Sequence, residues 1–77
     1  MNKIALKLME YGIDFVYANI INGEMIDAAV ASIKVKTYNS TVTVQIGGKT
    51  TLYNESNGAF RQILKLVDKA CKSYTEQ

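Results

Sequence analysis

The sequence predicts an α+β fold: an antiparallel sheet of three to four strands flanked by an N-terminal and a C-terminal helix. Three observations carry this. The two ends of the chain space apolar residues at intervals of three and four. The middle, from Ile13 to Tyr53, is rich in β-branched and aromatic residues that alternate with polar ones. Turn-forming pairs, Asn22-Gly23, Asn39-Ser40 and Gly47-Gly48, punctuate that middle. At 77 residues the chain reads as a single compact domain, 1–77.

The first helix runs from an N-cap at Asn2 to a C′ glycine at Gly12. Ile4, Ala5, Leu8, Met9 and Tyr11 share one side, with Lys3, Lys7 and Glu10 opposite and Leu6 off the stripe. Ile13 to Ile21 follows as a strand. Ile13, Phe15 and Tyr17 point one way, and Val16, Ala18 and Ile20 the other. Both faces are apolar, so the strand calls for a cover on each side. The helices supply one cover; a second chain would supply the other.

Glu24 to Ile33 is ambiguous. Ile26, Ala28 and Val30 alternate as a strand does, while Ile26, Ala29, Val30 and Ile33 match a helical face. The strand is favoured. Pairing across Asn22-Gly23 would set Phe15 opposite Val30 and Tyr17 opposite Ala28. A β-bulge near Ala31–Ser32 would then move the inward set to odd numbers from Ile33 onward.

A two-residue turn at Asn39-Ser40 sets Thr37 opposite Val42, Val35 opposite Val44 and Ile33 opposite Ile46. For the next turn, a three-residue loop, Gly47-Gly48-Lys49, would bring Leu52 opposite Val44 into the core. A two-residue loop would strand it on the polar face. The hydrophobic register favours the longer loop. Ser56 or Asn57 can cap the last helix, with Glu55 near its positive end. That helix places Phe60, Ile63, Leu64, Val67, Ala70, Cys71 and Tyr74 on one side, and Arg61, Lys65, Lys69 and Lys72 on the other.

The residue inventory argues against an enzyme. There is no His, the commonest general base, and a single Cys, Cys71, on an apolar helix side. One Cys excludes an internal disulfide and a multi-Cys zinc site, so no metal or other cofactor is expected. Gly47-Gly48-Lys49-Thr50-Thr51 contains a GKT-like string without the upstream glycine, in a hairpin rather than before a helix. Asp14, Glu24 and Asp27 are the only acids in a close group and read as solvated or edge-protecting charges. Asn39-Ser40-Thr41 and Asn54-Glu55-Ser56 fit the glycosylation pattern but read as turns and caps. Met1–Gly12 has no signal-peptide pattern, and no apolar run approaches the ~18 residues that span a bilayer. A cytoplasmic protein without a membrane partner is expected, in the host cytoplasm if it is phage-encoded.

The net charge of +2 is unevenly spread. Residues 1–33 sum to −2 and residues 34–77 to +4, with no acid between Ala28 and Asn54. A nucleic acid or acidic partner should therefore meet the second half.

The order helix, antiparallel strands, helix resembles in outline the double-stranded-RNA-binding domain. That family presents lysines at the start of its second helix, where this chain reads Glu55-Ser56-Asn57-Gly58-Ala59. The stretch Ile33 to Tyr74 resembles in outline the three-stranded arm domain of phage integrases. Neither outline carries a family-specific motif here, and likeness of fold does not fix function.

Two functional readings follow. In the first, the chain is a small stand-alone, non-enzymatic binding protein that occludes a macromolecular partner. A frame of this size beginning at Met1 suits an inhibitor or regulator, such as a phage- or mobile-element-encoded antagonist of a host enzyme. Its contacts would come from Phe15, Tyr17, Ile20 and Met25. In the second, it is a nucleic-acid-binding module. Lys34, Lys36, Tyr38 and Tyr53 would act on an outward sheet face that also carries Thr41, Thr43, Gln45 and Thr51, together with Arg61, Lys65, Lys69 and Lys72 on the last helix. A short chain buries a small core, so a homodimer fits either reading.

Overall fold

A computed structural model of the chain describes residues 1–54 and 58–76. The element order is α1 (Asn2–Glu10), β1 (Val16–Ile20), β2 (Gly23–Ala28), a 3-10 turn (Ala29–Ala31), β3 (Ile33–Tyr38), β4 (Thr41–Ile46), β5 (Lys49–Asn54) and α2 (Ala59–Thr75). The strands form one antiparallel meander in the order β1-β2-β3-β4-β5. The fold is thus α+β with a helix at each end, and the sheet has five strands rather than three to four.

The fifth strand comes from the ambiguous segment. What reads as a bulge at Ala31–Ser32 is a reversal of the chain. The 3-10 turn and a left-handed Ser32 (φ 56°) fold β3 back onto β2, pairing Ala28 with Ile33. The inward set changes parity there because the chain turns, not because a strand kinks.

Helix α1 is capped at its start by Met1 without a side-chain bond, so Asn2 is its first residue and not its cap. Its end closes as expected at Gly12 (φ 68°). The Gly12 N–H donates to the Met9 carbonyl and the Ile13 N–H to the Leu8 carbonyl, both at 3.0 Å. This paired bonding satisfies carbonyls that the last turn would leave open, and glycine takes the left-handed φ without a Cβ clash. Helix α2 begins after Gly58. The capping roles read for Glu55, Ser56 and Asn57 lie outside the described residues.

The first hairpin turns at Ile21-Asn22, with Ile20 paired to Gly23 and Tyr17 to Ile26. The expected pairing was two residues longer, so the strand faces were right and the partners wrong. Gly23 lies inside β2 and not in the turn. A Cβ there would collide with the Thr37 carbonyl oxygen. The Thr37 hydroxyl also accepts from the Glu24 N–H at 2.8 Å, where the regular β2–β3 ladder has ended. The Asn39 N–H donates to the Asn22 carbonyl at 2.9 Å and ties the two turns together.

The β3–β4 register is as expected: Ile33 with Ile46, Val35 with Val44, Thr37 with Val42. The β4–β5 register is not. Gly47-Gly48 makes a two-residue loop, with Gly47 left-handed, and pairs Thr43 with Leu52 and Val42 with Tyr53. Leu52 therefore leaves the core and stands 68% exposed on the outer face, while Thr51 and Tyr53 turn inward.

Both helices lie on the same side of the sheet. Ile4 and Leu8 of α1 and Ile63, Val67 and Cys71 of α2 pack on Ile26, Ala28, Ile33, Val35, Val42 and Val44. Fully burying each large aliphatic side chain stabilises by about 1.5–3 kcal/mol, so this layer carries the fold. Asp68 joins the two helices. It accepts from the Tyr11 hydroxyl at 2.8 Å and lies 3.7 Å from the Lys7 amine and 3.9 Å from that of Lys72. The buried sheet residues all belong to β2, β3 and β4, while on the outer strands the inward Tyr17 of β1 stays 40% exposed and Thr51 and Tyr53 of β5 are half-buried.

Candidate functional site

Among the described residues no helix lies on the opposite side of the sheet. Strand alternation fixes what stands on it. The register aligns Ala18, Met25, Lys36, Thr43 and Leu52 in one row, and Val16, Asp27, Lys34, Gln45 and Thr50 in the next. Tyr38, Thr41 and Asn54 make a third, shorter row, and Ile20 stands at the β1 end beside the turn.

This face is divided. Its β3–β4 part is Lys34, Lys36, Thr41, Thr43 and Gln45, ordinary residues for a solvated sheet. Its β1–β2 part is apolar: Val16 (61% exposed), Ala18, Ile20 and Met25. Ile21 in the adjoining turn is 82% exposed, and Tyr38 closes the far side at 51%. A shallow hollow is lined by Ile20, Ile21, Met25, Lys34, Lys36 and Tyr38. An exposed contiguous apolar patch with a charged border is what a protein-contact site offers.

The structure splits both candidate sets read from the sequence. Ile20 and Met25 are on the open face. Phe15 and Tyr17 are not: Phe15 packs against the core from the helix side, and Tyr17 lies opposite Ile26, with its hydroxyl on the Glu24 carboxylate. Lys34, Lys36 and Tyr38 share the open face as expected. Tyr53 does not, because the shorter loop reverses β5 and packs it against the core. Arg61, Lys65, Lys69 and Lys72 are exposed on the solvent side of α2, across the sheet from Lys34 and Lys36. The basic helix and the basic strand are therefore two surfaces on opposite sides of the molecule, not one.

Val16, Ala18 and Leu52 join the open face without having been singled out. The signal for the first two was present in the alternation of Ile13–Ile21. It needed only the knowledge that Ile26, opposite Tyr17, points to the helices.

Cys71 is buried against the sheet, and burial pushes its thiol above the usual range, so the reactive thiolate is disfavoured. The Asp68 carboxylate, as hydrogen-bond acceptor, holds the Tyr11 phenol up at about 12. Lys7 is raised chiefly by its hydrogen bond to Glu10. Gly47-Gly48-Lys49 is a hairpin turn rather than a phosphate loop. Among the described residues no helix is long and apolar enough to cross a membrane. No family model, curated protein or solved structure matches the chain.

Proposed function

We propose that this chain is a non-enzymatic binding protein that acts by covering part of a macromolecular partner, and that the partner is a protein. The observation that supports this is the apolar half of the open sheet face, where Val16 and the adjoining Ile21 are exposed, Ala18, Ile20 and Met25 are half-buried, and Lys34, Lys36 and Asp27 form the border. An inhibitor or regulator encoded by a phage or mobile element, working in the host cytoplasm against a host enzyme, is the kind of protein this reading describes. The mechanism is steric: apolar anchors fill a recess on the partner, and the charged border sets orientation and on-rate.

The test is affinity capture from cell lysate with the wild-type chain and with Ile20→Asp, at matched melting temperatures. The reading predicts a partner captured by the wild type and lost with Ile20→Asp. Capture that Ile20→Asp leaves intact contradicts it. Phe15→Ala is a poor probe, because Phe15 packs against the core and its loss would act through stability. Covering of the same face by a second copy is read from solution mass, as a doubling of the 8.5 kDa monomer.

The second reading is nucleic-acid binding, favoured by Arg61, Lys65, Lys69 and Lys72 along the solvent side of α2. It predicts affinity for a labelled duplex that falls steeply between 50 and 200 mM salt, as released counterions demand. Replacing Lys65 and Lys69 by Ala should weaken that binding alike on all sequences. Since α2 and the open face lie on opposite sides, changes at Lys34 and Lys36 should leave it unaltered.

A further inference from the structure

Between α2 and the inner side of β4–β5 lies a groove of about 300 Å3, on the helix side of the sheet and so away from the open face. The helix contributes Leu66, Lys69, Ala70 and Ser73, which share one stripe at spacings of three and four. The sheet contributes two cross-strand pairs, Val44 with Thr51 and Ile46 with Lys49. Val44, Ile46, Leu66 and Ala70 make an apolar floor, and Lys49 and Lys69 are exposed at its rim, one on each wall. Among the described residues no acid lines the groove, and the ion pairs are those of Lys7 and Lys72, so neither rim lysine has an acidic partner.

We infer that this groove binds a free fatty carboxylate of medium chain length, with its alkyl chain on the floor and its head at the rim lysines. The backbone of β4 is already paired on both sides, so the floor offers apolar side chains and no hydrogen-bond partner. A peptide laid there would bury unpaired N–H and C=O groups, whereas an alkyl chain has none to satisfy. Two cations without an acid select an anionic head and oppose a cationic one. The hydroxyls of Thr51 and Ser73, one on each wall, can donate to the same head. The volume suits a small ligand, since ligand pockets begin near about 300 Å3. From Leu66 to Ser73 the helix rises about 10 Å, the length of a chain of about eight carbons. The groove shares no residue with the open face, so failure here would leave the proposed protein contact untouched.

The test titrates the full chain with sodium octanoate, below the concentration at which it forms micelles, and follows side-chain methyl NMR signals. Val44, Ile46, Leu66 and Ala70 should shift together. Octanoate should bind about tenfold more tightly than hexanoate, as two further buried methylenes demand. Octylamine, with the same chain and the opposite charge, should bind about tenfold more weakly than octanoate. The Lys49→Glu, Lys69→Glu double variant should exchange the order of octanoate and octylamine. Equal affinity for hexanoate and octanoate overturns the inference, and so does the absence of any shift. Equal affinity for octanoate and octylamine overturns it as well, as does a charge preference that the double variant leaves unchanged. Shifts confined to Val16, Ile20 and Met25 would move the ligand to the open face and overturn it too.

Discussion

The two faces of the sheet are built from the same strands and differ in what completes them. On the covered face, Ile26, Ala28, Ile33, Val35, Val42 and Val44 are all buried in the core under the helices, and only at the edge strand does a large side chain, Tyr17, stay 40% exposed. On the open face the β3–β4 part is polar and needs no cover, while the β1–β2 part is apolar and has none. Burial therefore explains the first face completely and the second only in half. The half that burial does not explain is the one on which the proposed contact surface rests.

This contrast can be broken at graded cost. The largest effect belongs to the covered face: Ile26→Ala should lower the unfolding free energy by about 2–5 kcal/mol, because it leaves a cavity under both helices. Its neighbour Met25 points the other way, so Met25→Ala should cost far less in the same denaturant titration. Comparable losses at the two positions would mean that the open face is packed after all.

Next in size is Gly23→Ala. The added methyl would meet the Thr37 carbonyl and force β2 from β3, costing about 1–3 kcal/mol. Thermal unfolding would show it, and a neutral result would remove the close approach of these strands from the account.

Smaller is Tyr11→Phe, which cuts the bond to Asp68 between the helices. The folded phenol titrates at about 12, above its ordinary 10. The bond therefore stabilises fully below pH 10 and is lost as pH rises from 10 to 12. Wild type and variant should differ by a constant small margin in melting temperature below pH 10 and converge above it. A margin that widens with pH would contradict the assigned partner.

The smallest expected effect is Leu52→Thr. Leu52 is exposed on the open face, so stability should change by less than about 0.5 kcal/mol. A large loss would restore the longer β4–β5 loop, with Leu52 in the core.

Leu52 also shows where the sequence stops being legible. The β3–β4 hairpin could be aligned residue by residue, because Ile33, Val35 and Thr37 face a covered core and one register alone buries them. For β5 the same logic chose the longer loop, and the chain does the opposite. β5 is an edge strand whose inward Thr51 and Tyr53 are only half-buried, so burial specifies its register weakly. At Ala29–Ala31 the parity change was visible, but a bulge and a reversal produce the same pattern of inward residues. The open face itself was half legible: Ile20, Met25, Lys34, Lys36 and Tyr38 were recognised. Tyr53 was placed on it by the longer loop, while Phe15 and Tyr17, read on the face opposite Ile20, were binding candidates because a strand's alternation alone does not say which side the helices take.

The most direct measurement is side-by-side capture from one lysate by wild type, by Ile20→Asp with Met25→Asp, and by Lys65→Glu with Lys69→Glu. All three are first shown to melt within a few degrees of one another. The account predicts that the open-face pair loses the captured protein and the α2 pair keeps it. Capture retained by the open-face pair and lost by the α2 pair would place the working surface on the helix and contradict the account.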